Sequence, residues 1–387
     1  MSALAAQRIG RGDPAAARRI ATNVFAAGIG VGVFIAVVIF VFAPQLMELI
    51  GATGEAKIRG ANYMRIIAPS APITMVGMVG SGLLRAHGDA KRAMNATLVA
   101  GIVNALLDPI FIFVLGLEIE GAAIASVFAR LAMAAAALYP IFKHYGGIAP
   151  FKKIKFIKDL KEINGIAGPA ILTNIATPFG ALIVMRFIAG YGDDAIAGYS
   201  VIGRLLPLVF CVIFALSAIG PIVGQNFGAG DFGRVREAIR QSLIFAGAYS
   251  FVVWMVLLAG SGFIADQFGL GEAGTELIKV FTVVIAPLFF FNGVLFVSNA
   301  TFNNLNRPTW STLLNWGRNT IGTVPFVWLG AKWGGAPGIL TGQAIGGIFF
   351  GLLGVWLAVR LSAQYESGAI DPLKPWRPGF MNLKKHK

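Results

Sequence analysis

The chain has 387 residues, of which 56% are hydrophobic and only 13% are charged. Soluble domains carry about 25% charged residues, so this composition and its long apolar runs exclude that class and predict an all-α membrane protein. The net charge of +14 lies mainly in the segments between apolar runs, so we expect no nucleic-acid partner. One cysteine excludes an internal disulfide, and three scattered histidines predict no metal site.

A short glycine-rich stretch at the amino terminus recurs in the middle of the chain. Gln, Gly, Gly and Asp at positions 7, 10, 12 and 13 reappear in the same order 218 residues later, at 225, 228, 230 and 231. Residues 67–69 and 285–287, both Ile-Ala-Pro, keep the same shift. This pattern predicts a duplicated half. We expect each stretch to turn tightly and its aspartate, Asp13 or Asp231, to lie near the start of the next helix as a cap.

The two copies differ at their beginnings. The second copy opens with an apolar run near Gly165, and the matching part of the first copy would precede Met1. We therefore expect a complete chain to carry about two further membrane helices at its amino end. The alternative is a natural ten-helix protein with one shortened half.

Ten apolar stretches are long enough to cross a membrane as helices. They are residues 20–43, 61–84, 93–115, 121–142, 165–190, 195–223, 238–262, 277–302, 309–330 and 335–361. We expect an incomplete amino-terminal lobe of four spans at 1–145 and a carboxy-terminal lobe of six spans at 165–363. Apolar residues and lysines alternate at helical spacing between the lobes, which predicts a cytoplasmic amphipathic linker at 146–164. A plain connecting segment is the alternative, and a cytoplasmic tail is expected at 364–387.

The lysines and arginines between spans predict the orientation. Most of them fall on one set of ends, and the opposite ends hold only six: Lys57, Arg59, Arg65, Arg186, Lys279 and Lys332. Such cationic excess marks the cytoplasmic side. The prediction is a multi-pass protein of the cell inner (plasma) membrane with a cytoplasmic carboxy terminus.

One acidic residue, Asp108, falls deep within a span. A carboxylate in the membrane is costly and is by default a functional candidate, because it can take up and release a proton or bind a small cation. Asn104 is four residues earlier on the same helix face. Pro109 removes an N–H and leaves the carbonyl of Ala105 without its helical partner. The alternative is a structural ion pair between Asp108 and Arg130, which would lie at a similar depth on the returning helix.

The second half has Val324-Pro325 where the first has Asp108-Pro109, so a proline bend is expected there without a carboxylate. Ion coupling is therefore expected in the first lobe alone. The second lobe offers polar candidates for a substrate cavity: Asn174, Asn292, Asn299, Arg204 and Arg318.

These features resemble the multidrug and toxic compound extrusion (MATE) transporters. The resemblance covers essentially the whole chain and rests on residues 224–231 followed by Arg236, Gly168-Pro169 after the linker, the Asn104/Asp108 pair, and the Arg307-Pro308 turn that echoes Gly88-Asp89. It implies twelve helices in two six-helix lobes that face a central cavity, of which this chain would hold helices three to twelve. It also implies export of drug-like, often cationic compounds in exchange for H+ or Na+.

Within this family the residues resemble the DinF-type subgroup. Its ion site combines an Asp on the first helix, an Asn and an Asp four apart on the fifth, and a Thr on the sixth. Asn104 and Asp108 match the fifth-helix pair, and Ser126 stands in the threonine's place. The first-helix Asp has no counterpart in this chain. Other members use carboxylates within the spans of the second lobe, whereas the acidic residues of the second half of this chain fall at or near the ends of its spans.

The leading hypothesis is a secondary antiporter, not an enzyme, that exports amphipathic cationic compounds by alternating access. We expect it to be a monomer among membrane lipids, with a small-molecule substrate and no cofactor besides the coupling ion. H+ and Na+ both stay open, because carboxylate, amide and hydroxyl oxygens suit either. A lipid-linked oligosaccharide flippase of the same wider superfamily is the alternative, with Arg204 and Arg318 binding phosphate. A membrane-embedded enzyme would need a nucleophile–base pair or a metal site, which the lone Cys211 does not provide.

Overall fold

The computed structural model describes residues 1–49 and 52–370, and over these ranges it is built of helices without strands. In the first half the α-helices are α1 (Ser2–Gly10), α2 (Pro14–Leu49), α3 (Gly54–Ile67), α4 (Ala71–Ala86), α5 (Ala90–Pro109) and α6 (Glu118–His144). In the second half they are α7 (Lys153–Ile188), α8 (Asp193–Val209), α9 (Cys211–Ala215), α10 (Gly220–Ala229), α11 (Phe232–Gln267), α12 (Glu272–Val280), α13 (Ala286–Leu288), α14 (Phe290–Asn304), α15 (Pro308–Asn319) and α16 (Val324–Glu366).

The described residues contain eight helical stretches that are long and apolar enough to cross a membrane, and up to nine when one bent pair of helices is counted as a span. One of the eight runs from Pro308 to Glu366 and has 59 residues. The backbone leaves the helical conformation at Gly334 and Gly335 within it, so this stretch holds two of the predicted spans. The predicted all-α, multi-span membrane fold is confirmed.

Glycines allow the two arms on either side of Gly334 to pack backbone against backbone. A Cβ on Gly338 would collide with the carbonyl of Gly330, and one on Gly346 would collide with the carbonyl of Gly322. Moving eight residues along one arm therefore corresponds to moving eight residues back along the other, which is an antiparallel hairpin. Small residues at such a contact let membrane helices approach closely.

The two glycine-rich stretches of the repeat adopt the same local structure. Gly12 and Gly230 have positive φ angles of 74° and 78°, and each follows the end of a helix. The carboxylates of Asp13 and Asp231 then accept hydrogen bonds from backbone N–H groups three residues on, at 2.8 and 3.0 Å. The predicted tight turn and helix cap are confirmed in both halves.

Prolines mark interruptions of the helices at equivalent places in the two halves. A 3₁₀ turn at Ala68–Ser70 separates α3 from α4, and in the other half the helix bends by 42° just after Ala286–Leu288. After Pro109 the helix widens into a π-helical turn over Ile110–Val114. Proline removes a backbone donor and frees a carbonyl, which explains why the interruptions fall there.

The chain divides into two compact units, Met1–Ile163 and the part from Asn164 onward. In the first unit, α1 and the starts of α2 and α5 pack with the ends of α4 and α6 around a small, alanine-rich core that includes Phe25, Leu84 and Ile141. The second unit has a larger core in which Phe210, Phe281 and Phe302 are fully buried.

The predicted linker at 146–164 is helical from Lys153, and α7 continues from there without interruption to Ile188. The lobe boundaries stay a prediction. Of the predicted tail at 364–387, residues 371–387 lie outside the described residues, and α16 reaches Glu366.

Candidate functional site

The predicted carboxylate–amide pair forms near the end of α5. Asn104 donates a hydrogen bond of 3.1 Å from its side-chain nitrogen to Oδ1 of Asp108, and both residues are half-buried. The four-residue spacing places both side chains on one helix face, one turn apart. Asp108 directly precedes Pro109 and the π-helical turn, so it lies where the helix changes its geometry.

Arg130 does not pair with Asp108. Its guanidinium donates instead to the hydroxyl of Ser70 at 2.7 Å and to the carbonyl of Ile67 at 3.5 Å, next to the helix interruption of the first half. Among the described residues Asp108 therefore has no cationic partner within ion-pair distance. The alternative prediction, a structural ion pair between Asp108 and Arg130, is wrong. A membrane carboxylate without a protein counter-charge is suited to a mobile cation.

Ser126 lies on α6, which returns antiparallel to α5, and is half-buried. Gly121 packs against the backbone of Phe111, which fixes the register of the two helices. Counted from that contact, Asp108 is about 4.5 Å down α5 and Ser126 about 7.5 Å down α6, so the two are at similar depths. Within the described chain, Asn104 is the one hydrogen-bond partner of the Asp108 side chain. The structure thus joins two of the three predicted ion-site residues.

The second unit encloses a cavity of about 370 Å³. Its walls come from α7, α8, α9, α13, α14, α15 and α16, and aromatic side chains make up much of them: Tyr199, Phe214, Phe289, Phe291 and Phe296. The ring centres of Phe214 and Phe296 are 5.3 Å apart, and those of Phe214 and Phe289 are 6.0 Å apart. A volume of this order suits a drug-sized organic molecule.

Three of the five polar residues predicted for a substrate cavity line this one: Asn292, Asn299 and Arg318. The other two are exposed and lie outside its wall. Asn174 donates to the carbonyl of Ala170 on its own helix, and Arg204 lies on α8. The side chains of α7 and α8 that do reach the cavity include Thr177 and Tyr199.

Further polar residues of the wall were missed by the sequence reasoning. Asn315 and Asn319 lie on α15 on either side of Arg318, and Gln343 lies on α16. Asn315 donates to Oδ1 of Asn299 at 3.0 Å and so joins α15 to α14. Two asparagines four residues apart in an apolar span are a polar stripe on one helix face, which is a signal that could have revealed them.

A separate polar cluster fastens the loop before α5, outside the membrane spans. Asp89 accepts hydrogen bonds from the Arg92 guanidinium at 2.6 Å and from the Tyr145 hydroxyl at 2.8 Å. Burial opposes ionisation of Asp89, but these hydrogen bonds outweigh it and lower its pKa. His87 stacks on Tyr145 with ring centres 4.3 Å apart, and burial lowers the pKa of His87 although Asp89 acts the other way. These contacts tie the loop to the end of α6.

The described residues contain no cluster of three His, Cys, Asp or Glu side chains that could hold a metal.

Comparison with known proteins gives concordant results. The MatE family model matches residues 1–110 and 169–329. The chain is 28% identical over 340 residues to an FAD transporter of Shewanella oneidensis, which covers 86% of this chain and 75% of that protein. It is 29% identical over 298 residues to the multidrug export protein MepA of Staphylococcus aureus, which covers 74% of this chain and 64% of MepA, so the match spans less than two thirds of MepA. The crystal structure of the MATE transporter VcmN of Vibrio cholerae shares the fold, with a TM-score of 0.88 and 22% identity over 96% of this chain and 84% of VcmN.

Proposed function

Since the chain belongs to the MATE family of membrane transporters, which are not enzymes, we propose that it is a secondary active exporter. In this proposal H+ or Na+ enters at Asp108 and drives the exit of a drug-like amphipathic compound by alternating access. The proposal places the protein in the plasma membrane with its carboxy terminus in the cytoplasm.

The proposal rests on the contacts of the Asp108 carboxylate. Its carboxylate accepts from Asn104 and has no cationic partner among the described residues, because Arg130 is bound to Ser70. A carboxylate at membrane depth with no fixed counter-charge is stabilised by a proton or a small cation. We propose that Asn104 and Ser126 supply further oxygen ligands in the ion-bound state, as in the DinF-type subgroup.

The cavity of the second unit is the proposed cargo site. Its aromatic wall supports an amphipathic cargo with an apolar body. The two relatives carry different names, a multidrug export protein and an FAD transporter. The family resemblance implies a positively charged cargo. The cavity does not support that charge, because the charged residue on its described wall, Arg318, is itself a cation.

A lipid-linked oligosaccharide flippase is the second candidate function. Arg318 favours it, because a guanidinium binds phosphate through paired hydrogen bonds. Arg204, the other arginine considered for that role, is exposed and absent from the described cavity wall, which weakens this candidate.

The proposal is tested with the full chain in lipid vesicles, with either a pH gradient or a Na+ gradient imposed. The probes are ethidium, riboflavin 5′-phosphate and a fluorescent polyprenyl diphosphate. We expect ethidium or riboflavin 5′-phosphate to accumulate against its own gradient, and the accumulation to collapse when an ionophore removes the driving ion. Equilibration of these probes without accumulation would overturn the proposal. Gradient-independent movement of the polyprenyl diphosphate alone would favour the flippase.

A further inference from the structure

Arg318 lies on the cavity wall with no partner for its guanidinium. No described residue forms an ion pair or a hydrogen bond with its side-chain nitrogens, and no Asp or Glu lies on the described wall of the cavity. Its Nε atom lies 3.7 Å from the position that a Cβ on Gly347 would occupy, so α16 passes beside the guanidinium at this glycine. Thr323 donates to the backbone carbonyl of Arg318, at 2.8 Å, and does not engage the side chain.

The depth of Arg318 makes its lack of a partner informative. It lies ten residues after the start of α15 at Pro308, or about 15 Å along the helix, which is roughly half of a ~30 Å hydrocarbon core. An arginine at this depth cannot reach the headgroups easily and normally pairs with an acidic group or faces a water-filled cavity. Arg318 faces the cavity, and its counter-charge is therefore expected to come from what enters there.

Two neighbouring amides are also unused. Gln343 and Asn292 line the cavity, and the side-chain amide of neither makes a hydrogen bond with another described residue. Gln343 is one helical turn from Gly347, so it lies on the same face of α16 that Arg318 approaches. Two other asparagines of the wall differ in this respect. The side-chain nitrogen of Asn315 donates to Asn299 and to the carbonyl of Ser311, and that of Asn319 donates to the carbonyl of Asn315. The cavity thus presents a cation and two free amides beside a wall of aromatic rings.

We propose that this cavity takes an aromatic organic anion, that is, a molecule with a flat ring system and a phosphate or carboxylate group. The acidic group is held by Arg318 and hydrogen-bonded by Gln343, and the rings lie against Phe214, Phe289 and Phe296. That this anion is the transported cargo rests on the function proposed above. The binding site itself rests on the cavity alone.

Riboflavin 5′-phosphate and riboflavin are a matched pair of probes, because they share one fluorescent ring system and differ by the phosphate. We expect the purified full chain in detergent to bind the phosphate form at least about tenfold more tightly, measured by fluorescence titration, since charge-assisted hydrogen bonds to phosphate are strong. The Arg318→Gln variant should lose this preference and still bind riboflavin, which also shows that it is folded. The Arg318→Lys variant should keep part of the preference, and Arg204→Gln, which removes an exposed arginine outside the cavity, should keep all of it.

Equal affinities of the unaltered protein for the two flavins would overturn the proposal, and so would a phosphate preference that survives Arg318→Gln. The planar cation ethidium provides a third arm. It should bind more weakly than riboflavin 5′-phosphate and should bind more tightly after Arg318→Gln, because like charge is removed. Binding of a polyprenyl phosphate without binding of either flavin would also contradict the proposal and point to a lipid-linked ligand.

Binding in detergent needs no ion gradient, so this test is separate from that of the proposed function. If the preference depends on Arg318 but no probe is ever accumulated in vesicles, the anion site stands and the transport proposal fails. If probes accumulate without any phosphate preference, the transport proposal stands and the anion site fails.

Discussion

Asp159 accepts a hydrogen bond of 2.7 Å from the side-chain amide of Asn23, and both side chains are buried. Arg19 adds an ion pair to the same carboxylate at 3.2 Å. These contacts fasten the first turns of α7 to α2 within the first unit. The apolar side chains of the same helix segment, Ile154 and Ile157, are 86% and 61% exposed. The segment predicted as an amphipathic linker therefore buries Asp159 and Ile163 and leaves Ile154 and Ile157 exposed together with its lysines, a combination that suits contact with a lipid surface.

The Asp159→Ala variant should be less stable than the parent protein. It leaves the buried amide of Asn23 without its acceptor, which costs about 1–3 kcal/mol. Asp159→Asn keeps an acceptor and should lose less. The measurement is thermal unfolding of the detergent-solubilised chain, with Glu162→Gln as control, because Glu162 forms an exposed ion pair with Arg8 at 2.8 Å. An equal effect of Asp159→Ala and Glu162→Gln would contradict the importance of the buried contact.

The Gly346→Ala variant should disrupt the hairpin at Gly334. The added Cβ would collide with the backbone carbonyl of Gly322, which cannot move as a flexible side chain can. We expect a loss of about 1–3 kcal/mol in the free energy of unfolding or a failure to fold. Gly260→Ala is the matched control, because a Cβ there meets open space on α11 and should be neutral or slightly stabilising. Equal stability of the two variants would show that the backbones at Gly322 and Gly346 are not in close contact.

Stability should decrease as the pH falls below about 6.5, and His87 should contribute to that decrease. Burial lowers the pKa of His87 in the folded chain, so the unfolded chain binds a proton first and is stabilised by it. The contribution of His87 is therefore complete above its unfolded pKa and is lost as the pH falls through its folded pKa. His87→Gln should flatten the dependence of unfolding temperature on pH between about 7.5 and 5.5.

Asp89 acts in the same direction but at lower pH, since its pKa is below the ordinary aspartate value. The two groups are therefore separable in a pH titration. An Asp89→Asn variant should change the acid end of the curve, and an unchanged curve in His87→Gln would rule out the histidine.

The sequence predicted features that depend on local spacing. The four-residue interval between Asn104 and Asp108 sets their contact on one helix face, and the repeated glycine and aspartate positions give the same turn at Gly12 and Gly230. The interruptions at Ile-Ala-Pro in both halves follow from proline chemistry, which acts within a few residues.

Features that depend on packing between helices could not be predicted in this way. Depth alone allowed Arg130 to reach Asp108, but the rotation of α6 directs the guanidinium to Ser70. Arg204 and Arg318 looked alike in sequence, and only the packing of α8 and α15 shows that one is exposed and the other faces the cavity. The four-residue glycine spacing of α16 was a readable signal for its close hairpin.

Uphill transport by the Asp108→Asn variant tests the central claim most directly. In vesicles with an imposed pH or Na+ gradient, the amide cannot carry the exchangeable charge, so accumulation of the transported probe should fall at least about tenfold, while binding of that probe in detergent stays unchanged. Glu120→Gln, the same chemical change on α6 of the same hairpin, should accumulate the probe as the parent protein does. Undiminished gradient-driven accumulation by Asp108→Asn would show that the coupling ion binds elsewhere.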